Sequence, residues 1–302
     1  MLWNWRVIIN KRQKLRLAQL IYKCLVPNRR HMARTFPHLN ASKDANGWKI
    51  RWKNKTIVTS KSWSKFDGVE EAFVVGAGPS MNDQVLSRLQ TKPCLLMNGA
   101  VSLVHLGVVK DPLAIVVEDA RHMHTNAEAF TQIPQSIPLV LSLEAIHAFL
   151  YFAGAHALDG RTLYVLDNLE KPHGQGRKQL SEYESATFAE VSQRIGFSTD
   201  LDCGFFVCGT VMYAGIQVAH QLGARNLYLV GFDMSDLPRF YDEKAGGAWT
   251  GLEKGLGKVI GAIQLAQDLF AIRKGKIYNC SPSSNIPRDI LPYTNILEPT
   301  GR

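Results

Sequence analysis

Short apolar runs that end in polar or glycine residues recur along this chain, and helical segments such as Gln84–Leu89 separate them. The runs are Phe73–Val75, Cys94–Met97, Leu113–Val117, Pro138–Ser142, Arg161–Leu166, Asn226–Asp233 and Lys276–Cys280. Strands of this length that alternate with helices are typical of a parallel sheet with helices on its faces. The pattern therefore predicts an α/β fold with a mostly parallel sheet covered by helices.

The first apolar run ends in the loop Gly76-Ala77-Gly78-Pro79-Ser80. Two glycines allow a tight turn, and Pro79 and Ser80 are typical of a helix start, where Ser80 or a neighbour would cap free N–H groups. Such N–H groups and the positive end of a helix dipole favour an anion, most often a nucleotide phosphate. The alternative is a glycine-rich turn that binds nothing.

Two common phosphate-binding loops do not match this one. A dinucleotide-binding fingerprint requires a small residue where the chain has Met81, and it does not contain a proline such as Pro79. A P-loop ends in Gly-Lys-Ser/Thr, but no lysine follows Gly78 until Lys92. A site for a nucleotide sugar remains open.

Polar residues also follow the second and third runs. Asn98-Gly99 follows the second, and Glu118-Asp119 follows the third, with Arg121 close behind. Because open parallel sheets bind ligands at the carboxyl ends of their strands, three such ends in succession predict a site. For Asp119 the alternative is a helix cap or an ion pair with Arg121.

A second informative block begins at Cys208-Gly209-Thr210, which opens an apolar helix. Gly209 and Thr210 are expected to bring another helix N-terminus, with a hydroxyl group, to the same edge. The strand that follows this helix ends at Asp233. Aromatic, acidic and basic side chains come next, at Tyr241, Asp242 and Lys244.

The net charge of +9 is unevenly distributed. Residues 1–65 contain sixteen lysines and arginines but one acid, Asp44, whereas the rest of the chain is net acidic. Among residues 1–25, tryptophan, leucine and isoleucine alternate with cations, which is typical of a helix in an anionic membrane interface. The alternative is a helix packed on the body with a solvated basic face. No nucleic-acid-binding module accompanies the charge, so nucleic acid is not an expected partner.

Length and composition set further limits. With 302 residues, 46% of them hydrophobic, the chain can bury a large core and forms one domain or one and a half. Five scattered cysteines without a CxxC pair indicate reduced thiols and no metal framework. Because there is no membrane span or signal peptide, a cytoplasmic location is expected. We expect a basic arm at residues 1–35, a linker or small hairpin at 36–69 and the main domain at 70–302.

In order and approximate spacing, these motifs resemble those of the lipopolysaccharide-core Kdo (3-deoxy-manno-octulosonic acid) transferases of the WaaZ/RfaZ type. The motifs are Gly76-x-Gly78-Pro79-Ser80, Asn98-Gly99, Asp119-x-Arg121, Cys208-x-Thr210, Gly231-x-Asp233 and Arg239–Lys244. The resemblance covers roughly residues 70–295. More distantly, the loop, the strand-end asparagine and the Gly-x-Asp strand resemble those of bacterial CMP-sialic-acid sialyltransferases.

The resemblance implies a Rossmann-like variant of the GT-A glycosyltransferase fold. It also implies a CMP-activated donor of Kdo or a related acidic sugar, a lipid A–core acceptor, and a peripheral location on the inner face of the inner membrane. No cofactor or metal ligand is expected, and a requirement for metal is left open. Two alternatives are a pterin pyrophosphokinase-like enzyme that needs Mg²⁺ and a non-catalytic nucleotide-binding partner in core assembly.

Loss of CMP from the donor builds negative charge on the phosphate, and the acceptor hydroxyl must lose its proton. The reaction therefore needs a carboxylate base and hydrogen-bond donors for the leaving group. Asp119 and Asp242 are the candidate bases, and Tyr241, Lys244 and Thr210 are the candidate donors. The expected lining of the nucleotide-sugar site is Gly76, Gly78, Pro79, Ser80, Asn98, Gly99, Arg121, Cys208, Gly209 and Asp233.

Overall fold

A seven-stranded parallel sheet forms the centre of the molecule. The computed structural model describes residues 10–25, 36, 38–66, 68–176, 178–179, 182, 186–190, 195–235, 238–240 and 255–299. The strands are β1 (Leu39–Asp44), β2 (Gly47–Trp52), β3 (Lys55–Thr59), β4 (Glu71–Val75), β5 (Cys94–Met97), β6 (Ala114–Val117), β7 (Leu139–Ser142), β8 (Leu163–Leu166), β9 (Ala186–Glu190), β10 (Ile195–Ser198), β11 (Asn226–Val230) and β12 (Lys276–Asn279). The helices are α1 (Lys11–Leu25), α2 (Ser102–His105), α3 (Ala120–Thr131), α4 (Leu143–Ala153), α5 (Val211–Gln221) and α6 (Leu256–Ile272).

The central sheet has the strand order β12-β11-β4-β5-β6-β7-β8, and all neighbouring strands in it are parallel. Each apolar run identified in the sequence forms one of these strands. The predicted α/β class, with a parallel sheet covered by helices, is confirmed.

Helices cover both faces of the sheet. Along β5, Leu95 and Met97 join the core beneath α5 and α6, whereas Cys94 and Leu96 join the core beneath α3 and α4. Successive strand residues point to opposite faces, so a continuous apolar run supplies both layers. The apolar runs in the sequence lack alternating polar residues because both faces of their strands are buried.

Two predicted helices have a different form. Pro79–Asp83 and Leu86–Thr91 are short 3₁₀ helices, so the predicted α-helix at 84–89 is wrong. Gly78 precedes the first of them and provides no side-chain cap, so the prediction that Ser80 or a neighbour caps an α-helix is also wrong. Neither turn has the length over which peptide dipoles add up to a helix dipole.

A small antiparallel sheet, β1-β2-β3, covers the edge of the central sheet at β8. Trp48, Ile50 and Trp52 alternate along β2 and are buried against the body. The Lys61 amide donates a hydrogen bond to the Leu163 carbonyl, which ties the segment after β3 to β8. The segment at 36–69, expected as a linker or small hairpin, thus contains a three-stranded sheet.

Helix α1 rests on the end of α4. Leu15 is 1% exposed, and the Lys11 ammonium donates to the Phe152 carbonyl at 3.0 Å. Residues 1–9 and 26–35 of the expected basic arm lie outside the described residues. Within the described part of the chain, no helix combines the length and apolar character needed to cross a membrane.

Helix α5 lies directly on β4 and β5 at Gly215. A Cβ atom at this glycine would lie 2.7 Å from Val74 Cγ1 and 2.8 Å from Met97 Sδ. We expect Gly215→Val to lower the free energy of unfolding by about 1–3 kcal/mol because it overpacks this contact. Urea unfolding monitored by circular dichroism measures the change.

Gly257 provides the matched control, since a Cβ atom there would meet none of the described residues within 4 Å. Gly257→Val should change the free energy of unfolding by less than about 0.5 kcal/mol. An equal loss of stability in both variants would show that replacing a helical glycine causes the loss, rather than overpacking of the contact at Gly215.

Candidate active site

The candidate site lies at the carboxyl ends of the central strands. From β4 the chain proceeds through β5 to β8 on one side, whereas β11 and β12 lie on the other side. The strand order therefore reverses between β4 and β11. In open α/β sheets such a switch point leaves a crevice outside the strand ends, where ligands bind.

The loop after β4 is joined closely to the end of β11. The Gly78 amide donates to the Gly231 carbonyl at 3.0 Å, and the Ser80 amide donates to Asp233 Oδ2 at 3.1 Å. The Ser80 hydroxyl also lies 2.9 Å from the Ser281 hydroxyl. The Ser80 amide thus already binds a carboxylate of the protein, a role that the sequence assigned to a nucleotide phosphate.

The glycines of this loop are explained by these contacts. A Cβ atom at Gly78 would lie 1.9 Å from Asp233 Oδ2 and 2.6 Å from the Gly231 carbonyl oxygen. At Gly76 it would lie 2.8 Å from Met212 Sδ. Close contacts within the protein therefore require both glycines, and Pro79 starts the 3₁₀ turn that follows.

Asp233 is 3% exposed, yet its Oδ1 atom has no hydrogen-bond partner among the described residues. The Oδ1 atom of Asn98, at the end of β5, and the hydroxyl of Ser102 are also buried and have no hydrogen-bond partner among the described residues. Asn98 also has a φ of 46°, which turns the chain sharply at Asn98-Gly99. Buried polar atoms without a partner are costly, so these atoms mark positions where a polar ligand would bind.

The start of α5 lies beside the loop, as the contact of Met212 with Gly76 shows. Thr210 caps the helix, and its hydroxyl oxygen accepts a hydrogen bond from the Met212 amide at 3.3 Å. Gly209 has a φ of 72°, and a Cβ atom there would meet no described residue within 4 Å. Cys208 differs from both because it is buried and its thiol donates to the Lys258 carbonyl at 3.6 Å.

Asp119 both caps a helix and forms an ion pair with Arg121, the two structural roles expected for it if it is not catalytic. Its Oδ1 accepts a hydrogen bond from the Arg121 amide at 2.8 Å and caps α3. Its Oδ2 forms an ion pair with Arg121, with distances of 2.7 Å to Nε and 2.6 Å to Nη2. Both oxygens of Asp119 are therefore engaged by the first turn of its own helix.

Three other carboxylates lie at neighbouring strand ends. Glu118 follows β6, Glu144 lies in the first turn of α4 just after β7, and Asp167 follows β8. Burial, together with repulsion from Asp119 and Glu144, raises the pKa of Glu118 to about 7. Burial likewise raises the pKa of Asp167 to about 7 and raises that of Glu144. Glu144 contributes to the raised pKa of both Glu118 and Asp167, so the three acids interact electrostatically.

The sequence prediction missed Glu144 and Asp167. Asp167 carries the same signal as Asp119 and Asp233, a polar residue directly after an apolar run, and it could have been found. Glu144 lies one residue inside a helix, where an acid is an ordinary partner of the helix dipole. Its place at the strand ends follows from the tertiary structure alone.

His122 is a further residue that the sequence prediction missed. Its Nε2 atom is buried and has no partner among the described residues. Burial lowers the pKa of His122 to about 4, with an opposing contribution from Asp119 and a smaller one from Arg239 that also lowers it. A neutral imidazole in this position can exchange a hydrogen bond with a ligand but is a weak base.

The loop that begins at Lys171 and contains His173 folds onto the end of β8. The His173 amide donates to both carboxylate oxygens of Asp167, at 3.1 and 3.2 Å. The His173 ring also lies against Trp48 of the small sheet. This loop therefore closes the β8 side of the strand-end site.

Three predicted site residues, Tyr241, Asp242 and Lys244, lie outside the described residues. The Phe240 amide, just before them, donates to the Ala77 carbonyl at 3.3 Å. The chain thus approaches the site loop immediately before these residues. Among the described residues, no group of three histidine, cysteine, aspartate or glutamate side chains could hold a metal ion.

The sequence matches one protein-family model and two individual proteins, and all three carry related descriptions. Residues 184–297 match the family model described as 3-deoxy-D-manno-octulosonic acid transferase WaaZ. A protein of Escherichia coli (strain K12), named a probable 3-deoxy-manno-octulosonic acid transferase, is 23% identical over 266 residues, which cover 82% of this chain and 89% of that protein. A Salmonella typhimurium (strain LT2) protein of the same name is 25% identical over 240 residues, 76% of this chain and 88% of its own.

Among solved structures, the chain is similar to the sialyltransferase CstII from Campylobacter jejuni in complex with the substrate analogue CMP-3FNeuAc. The TM-score is 0.43 and the identity 16%, over 77% of this chain and 90% of that one. This likeness is too loose to support a statement about fold or function. The sequence matches, however, confirm the predicted resemblance to the Kdo transferases of the WaaZ type and, with it, the predicted class of enzyme, a glycosyltransferase.

Proposed function

We propose that this enzyme transfers Kdo, or a related acidic sugar, from a CMP-activated donor to the inner core of lipopolysaccharide. The observation that carries the proposal is a set of buried polar atoms at the carboxyl ends of the central strands that have no hydrogen-bond partner among the described residues. Asn98 Oδ1, His122 Nε2 and Asp233 Oδ1 belong to it. The names of the similar E. coli and Salmonella proteins supply the sugar.

The donor would lie along the strand ends from β11 to β6. Its phosphate suits the N-terminus of α5, where Thr210 offers a hydroxyl and no described residue lies within 4 Å of a Cβ atom at Gly209. Asp233 Oδ1 can accept a hydrogen bond from a hydroxyl or amino group of the nucleoside. Asn98 lies between these groups and Glu118, and two strand spacings place Glu118 roughly 10 Å from the β4 loop, a span that a nucleotide sugar can cover.

Glu118 is the base that the geometry favours. A general base works best when its pKa lies near the working pH, and burial sets the pKa of Glu118 at about 7. Asp119, the candidate from the sequence, is held by Arg121 at both oxygens. In the proposed reaction Glu118 takes the proton of the acceptor hydroxyl, that oxygen attacks the anomeric carbon of the sugar, and CMP leaves.

Helix α1 would hold the enzyme at the inner face of the inner membrane. Leu17, Leu20 and Ile21 are 50%, 60% and 51% exposed and share one face of the helix, away from buried Leu15. Exposed Arg12, Lys14 and Arg16 flank this face. An apolar stripe between cations suits the interface of an anionic membrane.

The first test is a donor screen with CMP-Kdo and CMP-sialic acid, using purified core glycolipid as acceptor. Transfer from CMP-Kdo is expected. Glu118→Gln should lower kcat by about 10²–10⁴-fold because it removes the base, while CMP affinity stays within about threefold. Radiolabelled transfer and calorimetric titration with CMP measure the two effects.

Asp119→Asn is the matched control for this screen. Asparagine also caps helices well, so kcat should fall by less than about tenfold. Near-normal turnover of Glu118→Gln with a large loss in Asp119→Asn would return the role of base to Asp119. Transfer from neither donor by the intact chain would contradict the proposed function.

Glu118 should also limit stability at neutral pH. Because its pKa is higher in the folded protein, the folded state binds more protons than the unfolded state between pH 4.5 and about 7, and stability falls as the pH rises through that window. Glu118→Gln should therefore raise the free energy of unfolding by about 1–3 kcal/mol at pH 8 and change it little at pH 4. Urea unfolding at both pH values measures the gain. Exposed Glu128→Gln is the control, and an equal gain there would contradict the burial of Glu118.

Membrane binding through α1 can be tested with Leu20→Glu. A carboxylate in the apolar stripe should lower affinity for vesicles that contain phosphatidylglycerol by about tenfold, because it is repelled by the anionic headgroups and removes an apolar contact. Ser283→Glu, an exposed site near β12 at the other edge of the sheet, should leave affinity within about twofold. Equal losses in a vesicle flotation assay would argue against α1 as the contact.

A further inference from the structure

A basic pocket lies near the amino-terminal ends of the central strands, whereas the strand-end site lies at their carboxyl ends. It encloses about 550 Å³ between the first turn of α1, the β2–β3 turn and the end of α4. Three lysines line it, Lys11, Lys53 and Lys55, together with Trp52 and Tyr151. None of the described residues that line it is acidic.

The structure directs these cations toward one space. Lys55 pairs directly with Trp52 across the β2–β3 hairpin, so both side chains leave the same face of the small sheet. Lys11 is fixed by its hydrogen bond to the Phe152 carbonyl and lies over the rings of Tyr151 and Phe152. Positive groups that share a pocket without an acid repel one another, and an anion that binds there relieves the repulsion.

The wall of the pocket suits a group that carries both charge and apolar or sugar surface. Trp52, Tyr151, Ile57 and Leu150 form an aromatic and aliphatic surface beside the lysines. Helix α1, which contributes Lys11, also carries the exposed stripe of Leu17, Leu20 and Ile21 on its outer face. The pocket is therefore adjacent to the element that we expect at the membrane.

Helix α4 connects this pocket with the strand-end site. Ser142, the last residue of β7, caps its start, and its final turn borders the pocket. Its 11 residues span about 16 Å. A glycan of a few sugar units, anchored at the pocket, could extend over that length to the acids at the strand ends.

We propose that the pocket binds a phosphate or carboxylate group on the lipid-proximal sugars of the membrane glycolipid that accepts the transferred sugar. This proposal rests on the proposed function for the identity of the glycolipid. Anchoring the acceptor there would place a hydroxyl group several sugars away from the membrane at Glu118. The enzyme would thus select its acceptor by the distance between an anionic group and the reacting hydroxyl.

The test uses the double variant Lys53→Asn/Lys55→Gln in the full chain, without donor. Asparagine suits position 53 because Lys53 has a φ of 49°. The matched control, Lys49→Gln/Arg51→Gln, also removes two charges, but from β2 positions that alternate with the buried Trp48, Ile50 and Trp52 and so point away from the pocket. Thermal unfolding verifies that both variants remain folded.

Vesicle flotation compares phosphatidylcholine vesicles that contain the core glycolipid with others that contain phosphatidylglycerol at equal charge. On glycolipid vesicles the pocket variant should bind at least about tenfold more weakly and the control less than about twofold more weakly. On phosphatidylglycerol vesicles both variants should weaken to a similar extent. The deacylated, anionic core oligosaccharide should displace the intact chain from glycolipid vesicles.

Equal losses for both variants on glycolipid vesicles would overturn the proposal, since general surface charge would then explain binding. A loss for the pocket variant that is equally large on phosphatidylglycerol vesicles would assign the pocket to ordinary phospholipid headgroups and overturn it too. Because no donor is present, these outcomes do not depend on catalysis. A failed donor screen with a selective loss on glycolipid vesicles would reject the proposed reaction and keep the pocket.

Discussion

The close junction between the ends of β4 and β11 is the constraint on which the site depends. Gly78 brings the β4 loop against Gly231, and the Ser80 amide is bound by the Asp233 carboxylate. Ser281 joins the same junction, because its hydroxyl accepts a hydrogen bond from the Phe232 amide. These contacts fix the ends of three strands before any ligand is present. They also leave one oxygen of Asp233 buried and without a hydrogen-bond partner among the described residues.

From this junction the candidate site extends along the carboxyl ends of the strands toward β8. Its side chains are neutral and polar near β5 and acidic from β6 to β8. Asn98 supplies an amide group, and Glu118, Glu144 and Asp167 then supply carboxylates whose pKa values are raised by burial. Holding three such acids together reduces the stability of the folded chain at neutral pH. Strain and unfavourable charge of this kind are expected at sites that have been arranged for chemistry rather than for stability. The small sheet and the loop at His173 close the far end.

Much of this arrangement could be predicted from the sequence, for identifiable reasons. Strands buried on both faces are continuous apolar runs, so all seven were visible, and the residue after each run marks the edge where ligands bind. The order of the strands was not visible, because it depends on contacts between distant segments. The loop at Gly76–Ser80 was assigned to a phosphate because its glycines fit one. In the structure the same glycines make room for Asp233 and Met212, partners that the local sequence does not reveal.

We propose that the polar edge of the sheet binds a cytidine nucleotide. A crystal structure of the chain with CMP tests it most directly. We expect the phosphate at the start of α5, within hydrogen-bond distance of Thr210, with Asn98 Oδ1 and Asp233 Oδ1 hydrogen-bonded to the ligand. A nucleotide bound elsewhere, with both of these oxygens still without a partner, would contradict it.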